Sequence, residues 1–252
     1  MAAVSTLVVG ESWHTVSYHS KGFDTFSDAR YTEAVDDLRD ALEADGIDVT
    51  YQPCHVAAGE FPETASELTA YDVVLLSDVG HNTLAIPPAT FADGDRRADR
   101  LGLLKSYVEA GGGLGMIGGY LSFQGIEAKA NYAGTPVEEA LPVRMQRHDD
   151  RVERPDGATA ETVRAGHPVV SDIDGPWPPF LGYNRVEADD DARTLVDVAD
   201  DPLLVVGDHG DGRTAAFTSD CAPHWGPEEF VEWEGYPTLW TSLVRWLAAG
   251  RE

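Results

Sequence analysis

The chain has 252 residues, 42% of them hydrophobic, which is enough for one large α/β domain with a full core. Its 44 acidic and 18 basic residues leave a net charge of −26. That balance excludes nucleic acid, whose phosphates need clustered Lys and Arg, and anionic membrane surfaces as partners.

The first half alternates strands and helices. STLVVG, Ser5 to Gly10, is a short apolar run closed by glycine, as a buried parallel strand should be. YTEAVDDLRDALEADG places Val35, Leu38, Ala41 and Leu42 on one helical face and stops at Gly46. IDVTYQP reads as a second strand, FPETASELTAY as a short helix and YDVVLLSD as a third strand. DRLGLLKSYVEAGGG carries Leu101, Leu104 and Val108 on one helical face, and GLGMIGG is the fourth strand. Strands separated by helices in this way predict an open parallel sheet with helices on both faces.

The second half is richer in strand. PLLVVGDHGDGRTAAFTSD predicts a β-hairpin around DHGDGR. YPTLWTSLVRWLAAG closes the chain as a docked helix with Trp240, Leu243, Val244 and Leu247 on one face. Pro142 to Asp191 reads as irregular, with DGPWPPFLGY forming a rigid aromatic loop packed over a pocket or against another subunit. No repeat or flexible linker interrupts the chain, so a single domain over 1–252 is expected.

The acid is spread over predicted loops and helix faces, as in a solvated surface. Only Lys21, Lys105 and Lys129 are lysines. This aspartate-rich, lysine-poor balance suits a halophilic cytoplasm, where salt screens self-repulsion. Cys54 and Cys221 make no disulfide framework, and no run reaches the roughly 20 apolar residues of a membrane span. A cytoplasmic location follows as an expectation.

In open parallel sheets ligands sit beyond the carboxyl ends of the strands. Five predicted strand ends supply polar or aromatic residues: Glu11, Ser12, Trp13, His14, His19 and Lys21; Cys54 and His55; Asp78, His81 and Asn82; Tyr120, Ser122, Lys129 and Tyr132; Asp220, Cys221, His224 and Trp225. The expected catalytic candidates are His224, Asp220, Glu11 and Cys221. Glu11 is hardest to read as structural, because a carboxylate closing a buried strand must be paired or neutralised, with Lys21 or Lys129 as partner. The expected ligand contacts are Trp13, His19, Lys21, His81, Gly118, Gly119, Tyr120, Ser122, Lys129 and Trp225, with Trp177 a further aromatic. Gly118 and Gly119 would turn the backbone sharply and offer amides to an anion or carbonyl. A metal would require His14, His19, His81, Asp78, Asp220 and His224 to converge, but no H-E-x-x-H or comparable spacing occurs. No metal ligand and no cofactor is assigned.

The strand order, the GMIGG turn and the late histidine resemble the class I glutamine amidotransferase-like superfamily, which implies a flavodoxin-like sheet. GESWHTVSYHSKGFDTF, YDVVLLSDVGHNTL, GGGLGMIGGYLSFQGIEAKANYAGTPVEEALPV, GPWPPFLGYNRV and AAFTSDCAPHWGPEEF narrow the resemblance to a glutamine amidotransferase-like subfamily related to ThuA-like proteins. In that pattern a cysteine nucleophile occupies G-x-C-x-G; here Ile117 stands at its position within Gly115–Gly119. His224 falls where the family's histidine comes, but Gly226 replaces the glutamate of His-x-Glu, and Glu228 and Glu229 are out of register. The resemblance therefore disfavours ordinary glutaminase chemistry. Three readings stand: a hydrolase or isomerase with a non-standard catalytic group acting on a small polar molecule, a non-catalytic sugar- or nucleoside-binding module, and a metal-dependent hydrolase. Homo-oligomerisation is open.

Overall fold

A computed structural model describes residues 3–251. Among them the chain forms fourteen strands: β1 Ser5–Gly10, β2 Ser12–Lys21, β3 Asp24–Glu33, β4 Asp48–Gln52, β5 Val73–Ser77, β6 Gly113–Ile117, β7 Val143–Met145, β8 Arg151–Ala158, β9 Ala160–Thr162, β10 Phe180–Asn184, β11 Val186–Ala188, β12 Arg193–Val198, β13 Asp201–His209 and β14 Gly212–Phe217. Eight of them build one sheet in the order β4-β1-β5-β6-β14-β13-β12-β9. The first five strands in that order are mutually parallel, whereas β13, β12 and β9 add on antiparallel. Taken in chain order, the five parallel strands run 2-1-3-4-5, the flavodoxin-like arrangement, and the order reverses beside β1.

Alternation along these strands feeds two cores. Val8, Leu75, Ile117 and Phe217 face the helices Asp36–Ala44 and Gly235–Ala248. Leu7, Val9, Val74, Leu76 and Met116 face the helices Cys54–Glu60 and Arg100–Glu109. Both faces of the parallel strands are thus covered, which is why their sequences are apolar throughout. The predicted hairpin at 202–220 is β13–β14, paired antiparallel from Leu204↔Phe217 to His209↔Gly212.

Three expectations change. The stretch after β1 is not a loop: β2 and β3 pair over ten residues, from Ser12↔Glu33 to Lys21↔Asp24, as an arm standing off the body. It takes Tyr31–Glu33 from the predicted helix, which begins at Asp36. Residues 142–191 are not irregular, for β7 to β11 lie there, in small antiparallel pairs β10–β8 and β11–β7 and at the sheet edge as β9. Trp177 covers no pocket: it is buried in the core against Trp233, with its indole N–H on Thr162 Oγ1 at 2.9 Å.

Candidate functional site

β1, β5, β6 and β14 are neighbours and end on the same side. Each hands over to a bend that carries polar groups. Gly10 (φ +117°) lets the end of β1 cross Ser77 closely, since a Cβ there would fall 1.7 Å from the Ser77 carbonyl oxygen. Glu11 and Asp78 follow β1 and β5, both held at φ +45°, a left-handed conformation costing about 1 kcal/mol or more each in a non-glycine residue. Asp220 follows β14, and its Oδ1 accepts the Ala222 amide at 3.0 Å.

These three carboxylates line a cavity of about 460 Å³ with Trp13, Tyr120 and His224. Leu121, Ile126, Ala222 and Pro223 complete its wall. A larger hollow of about 570 Å³, beside Arg144–His148, is not at the parallel strand ends. Glu11 is 1% exposed and Asp220 4% exposed, so neither can be hydrated as a surface acid would be. Ser77 Oγ donates to Glu11 Oε1 at 2.5 Å and lies 3.7 Å from Cys221 Sγ. His224 Nδ1 is 3.7 Å from Asp220 Oδ2.

Burial, joined by the charges of Asp220 and Asp78, pushes the Glu11 carboxyl well above the usual carboxylate range. Burial and Asp78 do the same to Asp220. Burial raises Asp78 too, against the pull of the Leu121 amide, which donates to Asp78 Oδ1 at 2.6 Å. Burial lowers His224, so its imidazole is neutral at pH 7. Cys221 is pushed well above the normal thiol range by burial and by Glu11 and Asp220. That rise favours the thiol over the thiolate.

The rim is braced from behind. Tyr120 meets the His224 ring edge-on at 4.4 Å, and Trp225 lies nearly parallel to it at 5.5 Å. Tyr120 Oη and Trp225 Nε1 both donate to Glu153, at 3.1 Å each. Arg151 sits over the Tyr120 ring at 4.8 Å. Trp225 is therefore a support for His224 and not a wall of the cavity. Ser122 is likewise a brace: its hydroxyl donates to the Ile117 carbonyl at 2.5 Å and accepts the Asp78 amide at 3.0 Å.

The remaining expected contacts lie elsewhere. His19 is far out on the arm, bonded to Asp28 at 2.9 Å and stacked on Phe26. Lys21 stands at the arm's turn, 6.0 Å over the Phe26 ring. His81 starts a short helix with its Nδ1 3.1 Å from Asn82 Oδ1. Lys129 pairs with Glu127 at 2.5 Å on the surface, so neither Lys21 nor Lys129 neutralises Glu11. His14 and His55 pack with Tyr31 at the arm's base, so the six-residue metal constellation is not formed. Instead Glu11, Asp220 and Cys221 bring donor atoms within 4.8 Å of one another. Asp78 and Ser77 were the residues that strand-end reading undervalued; their signal is a serine–aspartate pair closing the apolar run VVLL.

A family model described as "Putative glutamine amidotransferase" matches residues 5–249. The chain belongs to this glutamine amidotransferase-like family. It is similar to two solved cytoplasmic proteins of Salmonella typhimurium. STM3548 is 46% identical, with 96% of this chain and 98% of that one covered at a TM-score of 0.94. STM1381, from strain LT2, is 45% identical over 97% and 99%, also at 0.94. A ThuA-like protein from Bacteroides uniformis shares the fold, at 13% identity, 97% and 91% coverage and a TM-score of 0.56. Comparison with curated proteins returns no match. Among the described residues no helix is long and apolar enough to cross a membrane.

Two features of the β6 bend bear on its chemistry. Ile117 is the last residue of β6 and its side chain is buried in the core, away from the cavity. The bend amides are not free for an oxyanion. Gly118 N–H donates to the Phe217 and Ser219 carbonyls at 2.8 and 2.9 Å, and Gly119 N–H to Asn184 Oδ1 at 3.0 Å. A Cβ at Gly119 (φ +154°) would stand 2.7 Å from Asp78 Oδ1. The Asp78 carboxylate thus fills the space into which a side chain on this bend would project.

Proposed function

We propose that this amidotransferase-like pocket performs proton-transfer chemistry on a small polar molecule that is neutral or cationic. Glu11 and Asp220 hold a shared proton as the acid, and neutral His224 is the base. The observation that carries this reading is the gathering of Glu11, Asp78 and Asp220 at one cavity without a Lys or Arg among its described lining residues. Three carboxylates repel phosphate and carboxylate ligands. They favour hydroxyl, amide and ammonium donors, while Trp13 and Tyr120 supply flat apolar walls. The absence of a free thiolate and of unengaged bend amides argues against glutamine hydrolysis.

Isomerisation or hydrolysis of a polyhydroxylated or amino compound fits this set of groups. Thermal-shift measurement tests the reading with matched probes: glucose and glucosamine against glucose 6-phosphate and gluconate. The neutral and amino compounds should raise the melting temperature, and the anions should not. Glu11→Gln should abolish the shift while leaving the protein folded. A stronger response to the anions, or a shift that survives both Glu11→Gln and Asp220→Asn, overturns the assignment.

A second reading, a divalent cation held between carboxylates, is favoured by the approach of Glu11, Asp220 and Cys221 to a common point. Metal analysis and titration with zinc and manganese, on wild type and on Asp220→Asn, separate the two.

A further inference from the structure

The cavity at the parallel strand ends holds more acid than proton transfer uses. Glu11 and Asp220 serve that reading as a pair, and both are buried. Asp78 is left over, and it alone of the three is only half-buried. It is built as a fixed acceptor. Its backbone is held at φ +45°, its amide donates to Ser122 Oγ at 3.0 Å, and its Oδ1 accepts the Leu121 amide at 2.6 Å. Gly119 gives it room, since a Cβ there would stand 2.7 Å from Oδ1. Among the described residues no hydrogen bond reaches the other oxygen, Oδ2. A carboxylate oxygen drawn partly out of water in this way costs free energy unless a donor or a cation meets it.

The chain brings no cation to meet it. The described lining residues include no Lys or Arg. Arg151 stands behind the Tyr120 ring and is paired with Asp149 at 2.8 Å. Lys129 is paired with Glu127, and Lys21 lies at the turn of the β2–β3 arm. Burial keeps His224 neutral at pH 7. The rest of the wall is flat or apolar: Trp13, Tyr120, Leu121, Ile126, Ala222 and Pro223. Such a wall suits an apolar body better than a polyol, whose hydroxyls would find no partners on it. An ammonium group is drawn to aromatic faces as well as to carboxylates.

We infer that this cavity takes an organic amine in its ammonium form, with the N–H-bearing head on Asp78 and a flat or apolar body against Trp13 and Tyr120. The inference rests on the proton-transfer reading, which keeps Glu11 and Asp220 for the reacting proton and leaves Asp78 to hold the ligand's charge. Asp78 is then the residue that sets specificity. Its contact is a charge-assisted hydrogen bond, stronger than a neutral one. Because Ser122 and the Leu121 amide already hold it in place, little ordering is lost when the ligand binds.

Titration calorimetry on the whole chain tests this with benzylamine and benzyl alcohol, a pair alike in size and different in charge. Potassium chloride at about 2 M screens the general attraction of any cation to an acidic surface, while a contact inside the cavity is screened much less. Wild type should bind benzylamine about tenfold or more tighter than benzyl alcohol. Asp78→Asn keeps an acceptor for the Leu121 amide and tolerates the left-handed backbone, so it should fold. It should bring benzylamine down to the level of benzyl alcohol and leave the alcohol unchanged. Trp13→Ala should weaken both compounds. Four results overturn the inference: no benzylamine binding at a Kd below about 10 mM, benzyl alcohol bound as tightly as benzylamine, a preference that survives Asp78→Asn, or benzylamine binding untouched by Trp13→Ala. The proton-transfer reading fails separately, if the melting shift with sugars survives both Glu11→Gln and Asp220→Asn.

Discussion

Two buried carboxylate groups in this molecule are equally hidden from water and do opposite things. Asp150 is 3% exposed, much like Glu11 and Asp220. Its oxygens accept the Gln124 amide at 2.9 Å, the Gly125 amide at 2.8 Å and the Asn184 side-chain amide at 2.8 Å. Asn184 passes the connection on to the Gly119 amide. Asp150 therefore pins the whole 119–125 loop to β10. Burial pushes its carboxyl up, but the three donors pull against that rise. Glu11 has a hydroxyl from Ser77 and, around it, two further acids. Donor supply, not burial, distinguishes a carboxylate that holds the structure from one kept reactive.

The sharpest way to break this comparison is to remove Asp150. Asp150→Ala strands three buried donors, and the expected loss is on the order of 3 kcal/mol or more. Urea unfolding should show a lower midpoint at unchanged slope. A loss below about 1 kcal/mol would mean water satisfies those amides and the loop does not depend on the aspartate. Asn184→Ala comes next. It frees the Gly119 amide and one Asp150 contact, and a loss of about 2 kcal/mol is expected from the same urea measurement. The Asp150 and Asn184 effects should be strongly non-additive in the double variant, since they share one network.

Much of the frame was legible in the sequence because apolar runs of five or six residues between glycine-ended helices allow few other folds. The cavity lining was legible at Glu11, Asp220, His224, Tyr120 and Trp13, which all follow parallel strands closely enough for the strand end to fix their position. His19, Lys21 and Lys129 lie away from the cavity for one reason: distance along the chain from a strand end is not distance in space. Trp13 to Lys21 is rich in aromatic and β-branched residues (Trp13, Thr15, Val16, Tyr18) and closes on Gly22, a strand-then-turn signal that marks an antiparallel arm and carries its tip away. The role of the Gly118–Gly119 amides was not legible at all. It depends on Asn184 and Ser219, which reach the bend from β10 and from the end of β14.

The smallest effect is also the most diagnostic, because its sign is opposite. Glu11→Gln keeps the acceptor for Ser77 Oγ and removes an acid whose ionisation the fold opposes. In the folded state the Glu11–Asp220 pair binds protons more tightly than ordinary carboxylates do in the unfolded chain. The stability this contributes is fully present below the unfolded carboxylate pKa, about 4, and is lost as pH rises from there toward the raised folded value. Wild type should therefore weaken across that window while Glu11→Gln weakens less. At pH 7 the variant should be the more stable by about 1 kcal/mol, and near pH 4 the difference should vanish. Melting curves from pH 4 to 8 decide the matter. If the gap between variant and wild type is constant with pH, Glu11 titrates like a surface acid and the contrast with Asp150 fails. If the gap opens with pH and Asp150→Asn opens a smaller one, because three donors pull against the rise that burial causes there, a buried acid poised to exchange its proton has been separated from one that mainly holds the loop.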